Sequence, residues 1–208
     1  MTETLFSFDK RNYRECQQMF RGARDQEYYR GDFWIEDASN VEVRSERKTV
    51  GAISIIKQRS ATNLFFRRTR QHIREDATDL SILWFVKHGE LTFSNQCGSK
   101  VAKPGDFVIT RSMSPFFIEC RTDSDNVHEV LHVTVPTHIL RSYIQHDFST
   151  GLFMPVERPE LAIAENILTD VFDDDGGLGE ESARLLTETA FGLIGNAVRA
   201  TEELRPAR

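Results

Sequence analysis

Short runs of strand-forming residues alternate with turn signals between Phe65 and Val135, and this alternation constrains the fold more than any other feature. The runs are FFRRTR, SILWFV, ELTFS, FVIT, FFIEC and VLHVTV. Lys-His-Gly, Asn-Gln-Cys-Gly, Lys-Pro-Gly-Asp and Ser-Met-Ser-Pro separate them. Closely spaced strands with such turns are typical of a β-barrel or β-sandwich rather than an α/β sheet. We predict strands that follow one another as a meander, with earlier strands at Phe33 to Ile35, Val41 to Val43 and Gly51 to Ile56.

The strand-like run at residues 81–86 is apolar on both of its alternating faces. The two faces consist of Ile82, Trp84 and Val86, and of Leu83 and Phe85. A strand of this kind is covered on both sides, because either face would be unfavourable in water. We therefore expect the barrel interior on one side and a packed helix on the other.

Helical spacing of apolar residues marks the two ends of the chain. A short amphipathic helix is predicted over Asp9 to Phe20, where the spaced apolar residues are Tyr13, Cys16, Met19 and Phe20. Beyond Pro136, helical patterns follow at residues 139–144, 161–172 and about 180–203. Three aspartates at 173–175 oppose the dipole of the second of these helices and predict a solvated loop. The pattern divides the chain into a barrel at residues 1–150 and a helical segment at residues 151–208.

The last predicted helix carries an apolar stripe that must be buried against something. The stripe consists of Leu186, Ala190, Leu193 and Ala197. It packs either onto the barrel and the preceding helix or against a second copy of the chain. Gly192 and Gly195 weaken the helix and allow close approach of a partner.

Composition narrows the classes of function. The net charge of −6 from 32 acidic and 26 basic residues is a poor match to a phosphate backbone, so we expect no direct DNA binding by this chain. No stretch is apolar enough for a signal peptide or a membrane span, which predicts a cytoplasmic protein with no membrane contact. Three cysteines with no paired metal-ligand spacing indicate reduced thiols.

The pattern of reactive residues does not support an active site. His128 and His132 share a strand face, but four residues place them roughly 13 Å apart, too far to hold one metal ion. Neither a Gly-x-Ser-x-Gly elbow nor a cysteine with a local catalytic signature occurs. We predict no catalytic residue, no metal and no cofactor.

What remains is a binding pocket in the mouth of the barrel, lined by aromatic residues. Strand alternation places Phe66 with Arg68 on one face and Phe65 with Arg67 on the other, so only one arginine points inward. An inward arginine could orient a carboxylate by a two-pronged contact. For each aromatic, ordinary core packing is the alternative, and His132 also fits a residue of the barrel wall. The predicted ligand-binding residues are Phe66, Arg68, Trp84, Phe93, Phe107, Phe117 and His132.

Four segments in order resemble a known family. They are RRTRQHIRED, LSILWFVKHGELTF, the Pro104-Gly105-Asp106 turn with FVITRSMSPFFI after it, and VLHVTVPTHILRSYI. They resemble the N-terminal cupin-like effector-binding domain of AraC/XylS-type bacterial transcription regulators over roughly residues 30–200. The resemblance implies a mainly β (α+β) fold, a cupin-like β-barrel or jelly roll followed by a C-terminal helical dimerisation segment. Leu186, Ala190, Leu193 and Ala197 would then mediate dimerisation.

The resemblance also implies a function. In that family the barrel binds a small effector, the helices pair two copies, and a C-terminal helix-turn-helix region reads DNA. The chain stops at Arg208, where that region would begin, so we expect the DNA-binding domain to be absent. We predict a homodimeric, non-enzymatic sensor of a sugar or an aromatic or organic acid. The alternatives are a stand-alone cupin enzyme and a short protein that pairs with a full-length regulator.

Overall fold

Antiparallel strands dominate the computed structural model, which describes residues 2–16, 29–35, 40–145, 148, 151–154 and 158–203. The strands are β1 (Glu3–Asp9), β2 (Asp32–Ile35), β3 (Glu42–Val50), β4 (Ile53–Ser60), β5 (Leu64–Arg68), β6 (Leu80–His88), β7 (Glu90–Asn95), β8 (Gly98–Ala102), β9 (Phe107–Arg111), β10 (Phe116–Arg121), β11 (His128–Pro136) and β12 (Leu152–Met154). The helices are α1 (Arg70–Asp76), α2 (Thr137–Leu140), α3 (Pro159–Asp173) and α4 (Glu180–Glu203).

The strands form two sheets in a jelly-roll sandwich, so the predicted fold class is confirmed. One sheet has seven strands in the order β1-β3-β4-β11-β6-β9-β12, and the other has five in the order β2-β5-β10-β7-β8. The predicted meander is wrong, because β6 pairs with β11 and β9 whereas β7 pairs with β10 and β8. Gly89 separates β6 from β7 with a φ of 76°, a conformation that suits glycine and lets the chain change sheets.

Two apolar cores lie on opposite sides of the seven-stranded sheet. The first lies between the sheets and includes Trp84 and Val130 from one sheet and Leu64 and Ile118 from the other. The second packs the outer face of the seven-stranded sheet against α3 and α4. Successive residues of β6 and β11 alternate between the two cores, as predicted for residues 81–86.

The N-terminal segment differs from its prediction. Residues 3–9 form β1, which pairs with β3, and a single 3-10 turn follows at Tyr13–Glu15. The strand was not predicted, although Phe6 and Phe8 at alternate positions are a strand signal. The rest of the predicted helix, residues 17–20, lies outside the described residues.

The basic run after β5 is a helix rather than a continuing strand. Thr69 caps α1 by accepting a hydrogen bond from the His72 amide at 3.3 Å, and His72 Nδ1 accepts one from the Thr69 amide at 3.1 Å. This reciprocal capping stabilises the first turn of a helix that is only seven residues long. It delivers Asp76 back toward β5.

The C-terminal helices pack onto their own sheet. Ala190 and Ala197 of the predicted dimerisation stripe are fully buried in the core of α3, α4 and the seven-stranded sheet, and Leu186 and Leu193 pack partly against it. The first of the two readings therefore holds for both alanines. Gly195 lies against the backbone of Tyr143 of the same chain, where an added Cβ would approach the carbonyl oxygen to 2.4 Å. The short strand β12 also falls inside the segment predicted to be helical.

The aspartate run leads from the end of α3 into an exposed loop, as predicted, and ion pairs also tether two of its members. Lys57 Nζ lies 2.5 Å from Asp173 Oδ1, and Lys48 Nζ lies 3.2 Å from Asp174 Oδ2. Asp174 also accepts hydrogen bonds from the amides of Gly176 and Leu178. The lysines neutralise the charge that opposes the helix dipole, which the local sequence around Asp173 did not reveal.

Candidate ligand cavity

A cavity between the two sheets has about 500 Å³ of empty space, including its open mouth. The seven-stranded sheet contributes Phe6, Gln58, Trp84 and His132. The five-stranded sheet and its approach contribute Tyr29, Phe33, Leu64, Phe65, Phe66, Ile118 and Cys120. The cavity volume itself is about 50 Å³, below the roughly 300–1,000 Å³ typical of small-molecule sites, so a ligand must also fill the open mouth or displace lining side chains.

The wall on the seven-stranded sheet combines aromatic rings with two polar side chains. Trp84 and His132 are paired across β6 and β11, and their ring centroids lie 4.8 Å apart. Trp84 Nε1 donates to Thr110 Oγ1 at 2.9 Å, which satisfies the buried indole without using the cavity. Gln58 enters from β4, where alternation places it on the same face as Ile56 and Ser60.

The opposite wall is mainly apolar, with Tyr29 and Cys120 as its polar exceptions, and it closes around Phe66. Phe66 pairs in register with Phe33 on one side and Ile118 on the other. Its ring lies edge-on to Tyr29, with centroids 5.5 Å apart. Gly31 permits this packing, because an added Cβ would lie 2.1 Å from Phe66 Cζ.

An internal ion pair lies behind Tyr29, a residue of the cavity lining. Arg68 donates two hydrogen bonds to Asp76, at 2.8 and 2.7 Å, one to the Arg30 carbonyl oxygen and one to the Ser112 carbonyl oxygen. Its guanidinium carbon also lies 4.9 Å from the centre of the Tyr29 ring. Asp76 in turn accepts a hydrogen bond from the Arg30 amide. The guanidinium is therefore committed to the protein and fixes the Tyr29–Arg30 segment.

The titratable groups of the lining are uncharged at neutral pH. Burial, followed by repulsion from His128, lowers the pKa of His132 to about 3. Burial raises the pKa of the Cys120 thiol to about 12, and it raises the pKa of Tyr29 despite the nearby Arg68. Burial alone would raise the pKa of Asp76, but hydrogen bonds from Arg68 and the Thr78 and Arg30 amides outweigh it and hold that pKa below its usual value.

The structure brings together three of the seven predicted ligand-binding residues, Phe66, Trp84 and His132. Arg68 lies behind Tyr29 and points inward as alternation predicted, but its donors are occupied, which argues against the predicted carboxylate contact. Phe93 belongs to the core between the sheets without lining the cavity, and Phe107 belongs to the core on the helix side. Phe117 stacks on Trp34 and Phe65, with centroids 5.6 and 6.2 Å away.

Strand register explains why Phe107 and Phe117 lie outside the cavity. Phe107 pairs with Phe85 across β9 and β6, and this register places both on the helix side of the sheet. Phe117 pairs with the exposed Arg67, on the face of β5 opposite Phe66. Aromatic content was visible in the sequence, but the face on which each ring lies depends on register.

Sequence reasoning did not identify Tyr29, Gln58 or Cys120 as cavity residues. Gln58 had a usable signal, since it continues the alternate positions of Ser54 and Ile56 and is a polar residue on a buried face. Tyr29 precedes β2 in a polar stretch and is positioned by Arg68 through contacts distant in sequence. The position of Tyr29 in the cavity is visible only in the folded structure.

The remaining points concern metal ligands, membrane spans and cysteines in the described part of the chain. Among residues 2–16, 29–35, 40–145, 148, 151–154 and 158–203, no three His, Cys, Asp or Glu side chains are close enough to hold a metal ion. No helix in those ranges is long and apolar enough to cross a membrane. Cys16, Cys97 and Cys120 form no disulfide; Cys16 and Cys120 are buried and Cys97 is exposed.

No protein-family profile matches the sequence, and no curated protein matches it. Solved structures do match. The AraC-like transcriptional activator CuxR superposes with a TM-score of 0.72 over 100% of this chain and 72% of that chain, at 12% identity. ToxT from Vibrio cholerae, with bound unsaturated fatty acid, gives 0.41 over 60% of this chain and 47% of its own at 12% identity. EutQ from Clostridium difficile gives 0.35 over 49% of this chain and 75% of its own at 13% identity.

The similarity to CuxR concerns the fold. At 12% identity it shows a shared fold with 72% of the CuxR chain. This agrees with the family resemblance found in the sequence at the level of the fold. The scores of 0.41 and 0.35 are too low to support a further argument.

Proposed function

We propose that the chain is the small-molecule-sensing domain of an AraC-type transcription regulator. The observation that carries the proposal is the aromatic cavity between the sheets, one wall of which is the sheet that also supports α3 and α4. Occupation of the cavity is the signal, and the helices behind the wall receive it. In this proposal the chain binds rather than catalyses and works in the cytoplasm.

The proposed active form is a homodimer. Because Ala190 and Ala197 are used inside the chain, the dimer contact falls on the outward side of the helices. Exposed apolar side chains there are Ile163 on α3 and Leu185 on α4, which are 50% and 51% exposed. Gly192 has open space around it and lies two turns beyond Leu185 on the same side of α4.

Ligand-induced stabilisation tests the sensing role. We expect a rise in melting temperature with at least one compound from a panel of phenols, indoles, aromatic acids and sugars, because a ligand that binds the folded state stabilises it. In Phe66→Ala we expect the ligand-induced rise to be lost. Phe107→Ala should lower the melting temperature of the free protein but keep the ligand-induced rise. Phe107 is the control because it lies on the helix side of the same sheet. No response to any compound would contradict the proposal.

Sedimentation equilibrium tests the dimer. The wild-type chain should have twice the monomer mass, and Leu185→Glu should shift it to the monomer. Val101→Glu is the matched control, since Val101 is 48% exposed on β8, away from the helices. A monomeric wild-type chain at high concentration would contradict the dimer and leave the sensing role to the binding experiment.

A further inference from the structure

The two walls of the cavity differ in polarity. The five-stranded side is mainly apolar, with Leu64, Phe66 and Ile118, and its polar groups are the Tyr29 hydroxyl and the Cys120 thiol. The seven-stranded sheet offers the more polar Gln58 and His132 beside Trp84. A ligand that fits both walls has an apolar face and one polar edge. The polar edge points to the seven-stranded sheet.

Gln58 is the uncommitted polar group of this wall. It is 9% exposed, and within the described part of the chain its carboxamide makes no hydrogen bond. A ligand that hydrogen-bonds this carboxamide gains that interaction. The amide can donate and accept, which suits a hydroxyl or a carbonyl group.

His132 provides the second polar point. Gln58 pairs with Val130, and His132 pairs with Ile56, so Gln58 and His132 are diagonal neighbours on β4 and β11. The backbones of such diagonal neighbours lie about 7–8 Å apart, which is the width of one or two fused rings. The two residues therefore frame one edge of a ring system.

A charged ligand finds no counter-charge here. The described lining contains no Asp, Glu, Lys or Arg, and Arg68 behind Tyr29 spends its donors on Asp76, Arg30 and Ser112. A carboxylate placed against Phe66 and Trp84 would lose its hydration without an ion pair, which is strongly unfavourable.

A sugar fits no better than an anion. Its hydroxyl groups surround the ring, and each needs a partner when buried. The wall formed by Leu64, Phe66 and Ile118 offers none from its side chains. Aromatic faces and edges of Phe66 and Trp84 instead suit a flat apolar ring.

We propose that the cavity binds an uncharged aromatic ring compound that carries a hydroxyl or carbonyl group on one edge, with that group bonded to Gln58 and His132. This ligand class rests on the proposed sensing function. It narrows the range predicted from the sequence, which included sugars and organic acids.

Matched ligands test the class with the wild-type chain. Calorimetric titration at pH 7 with 2-naphthol, naphthalene and 2-naphthoate compares one ring system with a hydroxyl, with no polar group and with a negative charge. We expect 2-naphthol to bind at least tenfold more tightly than either of the other two. Equal or tighter binding of 2-naphthoate, or of a sugar, would overturn the ligand class and leave the sensing function intact.

A substitution locates the polar edge. In Gln58→Leu the preference for 2-naphthol over naphthalene should fall about tenfold, whereas Gln71→Leu, at an exposed glutamine of α1, should leave it unchanged. The ratio of two ligands on one variant is insensitive to a general loss of stability. An unchanged ratio in Gln58→Leu overturns the assigned contact. Absence of binding by every naphthalene compound, sugar and acid contradicts both the class and the sensing function.

Discussion

Arg68 and Asp76 form a two-pronged ion pair behind the cavity residue Tyr29. Nη1 of Arg68 lies 2.8 Å from Oδ2 of Asp76, and Nη2 lies 2.7 Å from Oδ1. The Arg68 side chain is fully buried, and both partners also bond the backbone of Arg30. The pair thus joins the end of β5, the end of α1 and the chain that leads into β2.

Replacing Arg68 should lower the free energy of unfolding far more than replacing the adjacent Arg67. Arg68→Met leaves Asp76 buried without its partner, and we expect a loss of about 3–5 kcal/mol in the free energy of unfolding. Arg67→Met breaks an exposed pair with Asp32 and should cost at most about 1 kcal/mol. Urea denaturation of both variants measures the difference. Similar losses in the two would show that the buried pair has no special role.

Two buried histidines should make the fold acid-sensitive above the range of the carboxylates. Burial lowers the pKa of His128 to about 4 and that of His132 to about 3, below the value near 6.5 of an unfolded histidine. The unfolded chain therefore binds more protons, and stability is complete above pH 6.5 and falls as the pH drops toward 4. Each histidine should cost roughly 2 kcal/mol at pH 5 relative to pH 7.

The histidine prediction is checked with single variants. His132→Phe should lose about half of the pH dependence of unfolding between pH 7 and 5, whereas His138→Phe, at an exposed site of α2, should retain it. Equal slopes in His132→Phe and the wild type would mean that His132 titrates normally in the folded protein.

A methyl group at Gly31 should close the cavity. The new Cβ would lie 2.1 Å from Phe66 Cζ, so the Phe66 ring must move. Gly31→Ala should abolish the ligand-induced rise in melting temperature while costing roughly 1–3 kcal/mol of stability from overpacking. Thermal unfolding with and without ligand reports both effects. A variant that is destabilised but still responds to ligand would remove Phe66 from the site.

Two glycines with left-handed backbones should differ in their tolerance of alanine. At Gly89, with φ 76°, an added Cβ would approach the Arg121 carbonyl oxygen to 2.3 Å, whereas at Gly51, with φ 59°, it would contact nothing. Gly51→Ala should cost about 1–2 kcal/mol from conformation alone, and Gly89→Ala clearly more. Comparison of their urea midpoints tests the close contact. Equal midpoints would contradict it.

The sequence predicts most of the strands and helices because their signals are local. The two-faced run at residues 81–86 correctly indicates a strand with a core on each side, and the apolar spacing from Glu180 matches α4. Which strands pair with one another could not be predicted from local signals. The turn at Gly89 is visible in the sequence, but the change of sheet between β6 and β7 follows from pairings with distant strands.

The cavity was less predictable than the fold. Trp84 and His132 could be selected as inward residues of strong strands, and register then places them side by side. Arg68 shows the opposite case, because its inward direction followed from alternation but its partner Asp76 lies on a helix that local propensity did not indicate. Ala190 and Ala197 satisfy either of two packing arrangements, and only tertiary structure distinguishes them.

The strand β11 separates the two cores by the thickness of a single backbone. His132 faces the cavity, whereas its neighbours Leu131 and Val133 face the helices. A displacement of a fraction of an ångström on one side cannot be absorbed by intervening side chains, because none lie between. A ligand that displaces β11 on the His132 side therefore also displaces the side chains that contact the helical layer.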